Sequence, residues 1–220
     1  MLILLKFIII IVIVVFTSFA AQAKDVNITS IISSIEKKQS NPALRKQAIR
    51  LGKDRALLCN QCHGEDGNST KPGVPNLAAQ NPVYLLNQIE KFSDGRRKNF
   101  VMNALSKNFS RDDKENLAIF YASMKVNPEK TNEKLAIKGQ SLYIKQCSSC
   151  HGNQGAGKSN YARLAGQKTH YVEMTLRSFR DNQKNSGMQA NRNSNLMELI
   201  AKELSNDDIK ALAAYVAQLK

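Results

Sequence analysis

Apolar side chains recur at helical spacing wherever the chain shows a regular pattern. Four isoleucines between positions 28 and 35 share one helical face. A Ser-x-x-Asp start precedes an apolar-periodic run at Ser110 and again at Ser205, which is typical of a capping box at a helix N-terminus. No segment shows the sustained period-two alternation of a β-strand. The pattern therefore predicts an all-α protein.

The first 23 residues have a different character from the rest. Met1 to Phe16 is almost wholly apolar, broken only by Lys6, and it leads into an Ala-x-Ala site that ends at Ala23. This pattern predicts a secretory signal peptide, residues 1–23, cleaved after Ala23. The alternative is an uncleaved membrane anchor, because the run is just long enough to span a bilayer. Both interpretations place the remainder outside the cytoplasm, and we expect the periplasm.

The remainder of the chain is an internal duplication. The paired features, in chain order, are Cys-x-x-Cys-His at Cys59 and Cys147, Leu-Ala-x-Gln at Leu77 and Leu164, Tyr84 and Phe92 with Tyr171 and Phe179, Met102 with Met197, and Ser110 with Ser205. About eight extra residues lie between Phe179 and Met197 in the second copy. The unbroken order predicts two tandem domains of roughly the minimum size for an independent core.

The boundaries of these domains follow from local composition. Asn41 and Pro42 resemble the cap and first-turn proline of a helix that runs to about Leu58. A polar stretch around Pro128 has no periodic apolar face, which is typical of a linker. The predicted organisation is a 24–42 N-terminal extension, a 43–125 first domain, a 126–135 linker and a 136–220 second domain.

The chain is strongly basic, with 32 Lys and Arg against 18 Asp and Glu. The excess is shared, with 17 against 10 over residues 24–128 and 14 against 8 over residues 129–220. A basic protein outside the cytoplasm complements acidic protein surfaces or anionic lipid, not nucleic acid. The alternative is that the basic residues bind no partner and form a solvated surface that aids solubility. Basic residues cluster at Arg45, Lys46, Arg50, Lys53 and Arg55, and again at Arg96, Arg97 and Lys98.

All four cysteines fall in the two Cys-x-x-Cys-His motifs, the attachment motif of c-type haem. Residues three apart lie on one side of a helical turn, so both thiols of a pair can reach one edge of a porphyrin. The histidine that follows can then bind the iron. We expect two covalently bound haem c groups, held by Cys59, Cys62, Cys147 and Cys150, with His63 and His151 as axial ligands.

The cysteine pairs have two alternative interpretations. The four thiols could bind one zinc ion, but the long segment between the pairs is unlike a compact zinc module. Each pair could instead be a thioredoxin-like redox dithiol, but such a domain needs a βαβ pattern. The helical pattern of this chain favours haem over both.

The second axial ligand decides what a haem can do, because an open site permits peroxide chemistry and a filled site favours electron transfer. Apart from the two motif histidines only His170 remains, and Val83 stands at its position in the first copy, so we expect a surface residue. Among the methionines after the signal segment, only Met102 and Met197 match each other. We expect them to be the second axial ligands; core packing is the alternative.

Backbone features near the motifs suit this role. Gly64 and Gly152 relax the chain directly after each histidine. Pro75 is placed to hold a carbonyl toward the His63 ring N–H, which would orient the proximal ligand. Ala162 stands at that position in the second copy.

Taken together, these residues resemble the dihaem cytochrome c4 family from about Gly52 to the C-terminus. The Leu-Ala-[Ala/Gly]-Gln segment and the Met-x7-Ser spacing are the most specific parts of the match. The resemblance implies two class I cytochrome c domains, each wrapped around a covalent haem, with His63–Met102 and His151–Met197 ligation. It also implies a periplasmic electron carrier, not an enzyme, that passes electrons in a respiratory chain toward a terminal oxidase. Residues 24–50 extend beyond the usual domain start, and the charge dipole often described for the family is lacking.

Three functions compete at this point. The first is a diffusing carrier whose redox partners present an acidic docking surface. Such a carrier would act at a membrane oxidase or, held by anionic lipid, as a peripheral membrane protein. The second is the dihaem subunit of a flavocytochrome c sulfide dehydrogenase-like complex, whose partner is a flavoprotein. The third is a haem enzyme with an open site, such as a peroxidase, and the paired methionines weigh against it.

Overall fold

The computed structural model describes residues 27–181 and 194–220, and there the chain is helical. The helices are α1 (Ile28–Ser40), α2 (Pro42–Arg55), α3 (Leu57–His63), α4 (Pro82–Ser93), α5 (Phe100–Lys107), α6 (Arg111–Ala122), α7 (Glu133–Gln146), α8 (Ser148–His151), α9 (Thr169–Arg180), α10 (Asn195–Lys202) and α11 (Asn206–Gln218). Extended backbone pairs in these ranges only at one isolated bridge, between Lys158 and Tyr161. The all-α prediction is confirmed. The segment predicted as a signal peptide lies outside the described residues.

The helix starts follow from local sequence. Asn41 accepts hydrogen bonds from the backbone N–H groups at the start of α2, and Pro42 occupies its first turn. Both predicted capping boxes are complete, Ser110 with Asp113 at α6 and Ser205 with Asp208 at α11. The helix predicted to reach Leu58 ends at Arg55, and a separate helix carries the first motif. Within the described ranges, no helix is long and apolar enough to cross a bilayer.

The duplication appears as two helix sets in the same order. Helices α2 to α6 of the first set correspond to α7 to α11 of the second. In each set the first and last helices cross at a glycine of the first helix: Gly52 of α2 lies against α6, and Gly139 of α7 lies against α11. Each set has its own hydrophobic cluster, around Leu86 and Ile119 in the first and around Tyr143 and Ile209 in the second.

Helix α1 packs into the core of the first set. Ile31 and Ile35 are fully buried in its cluster, which explains the apolar face seen in the sequence. The Lys38 ammonium lies 2.5 Å from the Asp112 carboxylate and 3.1 Å from that of Glu115, both on α6. The extension that precedes the usual domain start therefore contributes to the first hydrophobic core.

The two sets meet through the segments that follow each motif. The hydrogen bonds between them run from Asn76, Gln80, Asn81 and Asn87 to residues of the 156–167 segment, and back from Arg163 and Gln167. A further bond joins the Arg97 guanidinium to the Tyr171 hydroxyl at 3.3 Å. This interface is largely polar and uses matching positions of the two copies.

The interface corrects one expectation about charge. Arg97 is only 6% exposed and does not belong to an exposed basic cluster with its neighbours. Its guanidinium lies 4.3 Å from the centre of the Phe92 ring and donates to Gln88. Arg96 is bound to Asp94, and Lys98 is exposed. Contacts with the Phe92 ring and with neighbouring residues of the same chain therefore hold the Arg97 side chain in the interface, away from solvent.

Candidate haem sites

Each motif lies on a short helix that ends at its histidine. Cys59 and Cys62 lie one turn apart on α3, which ends at His63. Cys147 caps α8, which carries Cys150 and ends at His151. The four cysteines are free and half-buried. The local geometry thus matches the spacing argument, with two thiols and an imidazole on one short helical segment of each set.

Both histidines are held by a backbone carbonyl. The Nδ1 atom of His63 lies 2.9 Å from the Pro75 carbonyl oxygen, and that of His151 lies 2.8 Å from the Ala162 oxygen. Because a carbonyl can only accept, Nδ1 carries the proton and Nε2 keeps its lone pair for a metal. Burial lowers the pKa of both imidazoles, although the carbonyl bonds oppose this. The neutral, oriented ring is the form that binds iron.

The first thiol of each pair lacks the lowered pKa of a redox dithiol. Burial raises the pKa of Cys59, and burial followed by the nearby Cys150 raises that of Cys147 to about 11. Redox-active Cys-x-x-Cys pairs depend instead on a lowered thiol pKa. Among the described residues, which include all four cysteines, no group of three or more His, Cys, Asp or Glu side chains could hold a metal ion. The four thiols therefore do not converge on one zinc.

The two candidate methionines occupy equivalent positions. Met102 and Met197 are each the third residue of a helix, α5 or α10, and both are half-buried. The Met102 N–H donates to Asn99 at 2.9 Å, and the Met197 N–H donates to Ser194 at 3.4 Å. Met197 packs on the same cluster as Cys147.

The remaining candidates lie elsewhere. His170 is exposed at the start of α9. Met124 packs on the first cluster, and the Met174 sulfur lies near Gly73 of the other set. Met188 is outside the described residues. Among the methionines that the structure describes, Met102 and Met197 are the pair that share one place in both copies.

The residues present fit a haem at each motif. Two thiols and an oriented imidazole lie together at each motif, and a thioether would complete the donor set of a His–Met c-type site. Large apolar side chains on the methionine helices remain uncovered by protein, namely Phe100, Val101, Leu196 and Leu199. An apolar surface of this kind suits a porphyrin face. The glycines after the histidines have φ of 82° and 79°, as the sequence argument requires.

Sequence reasoning missed the role of two glutamines. Gln80 and Gln167 are 6% and 7% exposed, and each pairs its amide with the backbone of the opposite set. Gln80 bonds the N–H and C=O of Arg163, and Gln167 bonds those of Asn76. Their repetition in the Leu-Ala-x-Gln segments was the available signal. A repeat shows that a residue recurs, but not that it contacts the other copy.

Two helical domains, each with a Cys-x-x-Cys-His helix and a carbonyl-held histidine, define the class of a dihaem c-type cytochrome. The cytochrome c family model matches residues 136–220. Cytochrome c4 of Pseudomonas aeruginosa is 34% identical over 76% of this chain and 87% of its own. The chain belongs to the cytochrome c4 family.

Further comparisons agree with this assignment. The crystal structure of reduced cytochrome c4 from Pseudomonas stutzeri has a TM-score of 0.69 and 30% identity, over 77% of this chain and 97% of that one. The thiosulfate dehydrogenase electron acceptor of Thiomonas intermedia is 30% identical over 74% of this chain and 78% of its own. The protein is accordingly a dihaem electron-transfer cytochrome whose cofactors are covalently bound haem c.

Proposed function

We propose that Cys59 and Cys62 hold one haem and that Cys147 and Cys150 hold the other. In this assignment His63 and Met102 would bind the iron of the first haem, and His151 and Met197 would bind that of the second. A bound haem supplies one-electron chemistry at its iron. The chain orients each imidazole through a backbone carbonyl, keeps it neutral by burial and carries a methionine in the first turn of α5 or α10.

We infer that the protein shuttles single electrons in the periplasm between respiratory donors and a terminal acceptor such as an oxidase. The observation that carries this proposal is a repetition in both helix sets: a thiol pair, a carbonyl-held histidine and a methionine at the same helix position. A filled sixth position favours electron transfer over peroxide chemistry. Two equivalent carrier sites in one chain suit a relay, because an electron can enter at one domain and leave from the other.

Partners in this proposal are redox proteins with an acidic docking surface. Exposed basic residues on α2 supply the complementary face, at Arg45, Lys46, Arg50, Lys53 and Arg55. Redox encounters are small and brief, so charge acts mainly on how fast the partners meet. Anionic lipid near a membrane oxidase would favour the same face.

A second candidate is the acceptor of a sulfur-oxidising enzyme. The likeness to a thiosulfate dehydrogenase electron acceptor favours this version over a flavoprotein-bound subunit of the flavocytochrome c sulfide dehydrogenase type. In both versions the chain still carries electrons, and only the donor differs. The two candidates therefore share the site and differ in the protein that docks.

The test mixes the purified holo-protein with washed membranes of its own organism and follows the haem absorption. We expect rapid oxidation of the reduced protein that oxidase inhibitors block. Reduction by quinol-fed membranes would support the respiratory donor, and reduction only with a thiosulfate-oxidising enzyme would support the second candidate. A reduced protein that the membranes leave reduced would refute the oxidase role.

A further inference from the structure

Each proximal histidine bonds to a peptide group whose other end faces the opposite domain. His63 donates to the carbonyl of the peptide that joins Pro75 to Asn76. The N–H of that same peptide donates to the Gln167 side-chain oxygen at 2.8 Å. A single peptide therefore connects a histidine of the first domain to a glutamine of the second.

The second domain repeats this arrangement in the reverse direction. His151 donates to the carbonyl of the peptide that joins Ala162 to Arg163. The N–H of that peptide donates to the Gln80 side-chain oxygen at 2.6 Å. The two connections are reciprocal, so each domain supplies the glutamine that faces the other domain's histidine.

The glutamines are held firmly in this position. The side-chain oxygen of Gln80 also accepts from the next backbone N–H, at 3.0 Å, and Gln167 does the same at 3.0 Å. The amide nitrogens donate to the carbonyls of Arg163 and Asn76 at 2.8 and 3.0 Å. Both side chains are buried, which limits the competition of water for these bonds.

Such a chain of hydrogen bonds has an electronic consequence. A peptide N–H that donates draws electron density toward its own carbonyl oxygen, and linked bonds strengthen one another by about 10–30% each. A stronger acceptor pulls the Nδ1 proton further from the imidazole and makes Nε2 a better electron donor. Better donation favours ferric iron and so lowers the reduction potential of that site.

We infer that Gln167 and Gln80 are positioning residues that set the potential of the haem in the opposite domain. This inference rests on the proposed ligation by His63 and His151. Loss of the Gln167 bond should raise the potential of the first haem, and loss of the Gln80 bond should raise that of the second. Undocking of the domains would raise both, so domain docking and the potentials are linked.

The test compares Gln167→Met and Gln80→Met, which keep the side-chain length and remove the amide. Potentiometric titration with assigned haem-methyl NMR signals gives each potential, and the ¹⁵N shift of each His Nδ1 in the ferrous protein reports the bond. We expect Gln167→Met to move the first haem and the His63 signal alone, and Gln80→Met to move the second haem and the His151 signal alone. The expected change in the reduction equilibrium is about two- to tenfold, or about 18–59 mV for one electron.

Two further variants keep the inference falsifiable. Asn87→Ala removes an interdomain bond to Asn160 that touches neither peptide, and should leave both potentials in place. Gln167→Glu keeps the acceptor and should move the first haem in the direction opposite to Gln167→Met, even where the Met variant folds poorly.

The outcomes separate the two claims. Equal shifts of both haems in every interface variant, or unmoved potentials with ligation intact, would overturn the cross-domain role alone. A wild-type protein without histidine ligation at either iron would overturn the proposed site and this inference together.

Discussion

Gly139 of α7 lies directly against Ala211 of α11: a Cβ on the glycine would be 2.0 Å from the alanine carbonyl oxygen. Gly52 has the same relationship to Asn116 in the first domain, at 2.3 Å. In both cases the obstacle is backbone, which cannot move aside as a side chain can. The first and last helices of each domain therefore touch through their main chains.

Gly139→Ala and Gly52→Ala should each force one helix pair apart. Overpacking of this kind costs about 1–3 kcal/mol, and the rigid backbone places these sites at the upper end. Guanidinium unfolding of the holo-protein measures the loss in the free energy of unfolding. Gly73→Ala is the control, since its Cβ would meet the end of the flexible Met174 side chain at ordinary distances, 3.5 Å to the sulfur and 3.8 Å to Cε. Equal stability of Gly139→Ala and the wild type would contradict the close crossing.

The sequence predicts the features of this fold that depend on neighbours along the chain. The capping boxes at Ser110 and Ser205 and the motif helices need only residues within a turn, so their patterns are visible. The hydrogen bond from His63 to the Pro75 carbonyl was predictable, because the proline restricts the backbone of a loop near His63. The same order of features in the second copy supports this prediction. These parts of the site need no knowledge of the other domain.

What the sequence hides depends on contacts between distant residues. From the sequence, Arg97 is expected to carry a surface charge. In the structure its guanidinium lies over Phe92 and beside Tyr171. The isoleucine face of α1 predicts a helix, but not the core that it enters. Likewise Gln80 and Gln167 repeat faithfully, yet only the docked domains show which peptide each one binds.

Removal of one thiol pair should remove one haem. Cys59→Ala combined with Cys62→Ala should leave a single covalent haem, because thioether bonds survive unfolding and the second motif is intact. Intact mass after acid unfolding counts the groups directly. The matched variant at Cys147 and Cys150 should give the same mass loss. An apoprotein mass for the wild type would refute the proposed haem attachment at both cysteine pairs.

Met102→Ala and Met197→Ala should each open one iron. Since methionine sulfur favours ferrous iron, each change should lower the potential of its own site and admit carbon monoxide there. Optical redox titration measures the potential, and carbon monoxide difference spectra detect binding at the opened iron. Met124→Ala is the control, because Met124 packs on the first core. A spectral change in the control, with none in Met102→Ala, would mean that the ligand is misassigned.

Lys38 should stabilise the first domain in a pH-dependent way. Its hydrogen bond holds the pKa of Asp112 below the usual value; burial acts to raise the pKa of Glu115, but bonds from Arg111 and Lys38 outweigh it. Carboxylates with lowered folded pKa values stabilise above their unfolded values of about 3.9 and 4.3, and lose this as pH falls further. Lys38→Met should therefore cost about 1 kcal/mol at pH 7 and progressively less below about pH 4.

Urea unfolding at several pH values measures this difference. Lys37→Met is the matched control, because it removes the same charge from an exposed position on the same helix. Its effect should be small and nearly constant with pH. A constant deficit for Lys38→Met down to pH 3 would show that packing of the lysine stem, and not the ion pairs, holds α1.

The exposed basic face of α2 should control the rate at which the protein associates with an acidic partner. Attraction between such surfaces is screened over about 8–10 Å at physiological salt, so the second-order rate to the native acceptor should fall about tenfold as salt rises from low values. Arg45, Lys46 and Lys53 are exposed, and their joint replacement by Gln should flatten this dependence. Stopped-flow oxidation at a series of salt concentrations gives the slope.

Arg97 is excluded from this variant because its burial would disturb the interface rather than the surface charge. The matched control replaces Lys134, Lys138 and Lys145 of α7, the helix equivalent to α2 in the second domain, with Gln. It removes the same net charge, so a flattened slope in the α2 variant alone would assign docking to the first domain. Both potentials should stay nearly unchanged, since the residues are exposed and act on the encounter. A wild-type rate indifferent to salt would mean that the basic face only solvates the protein.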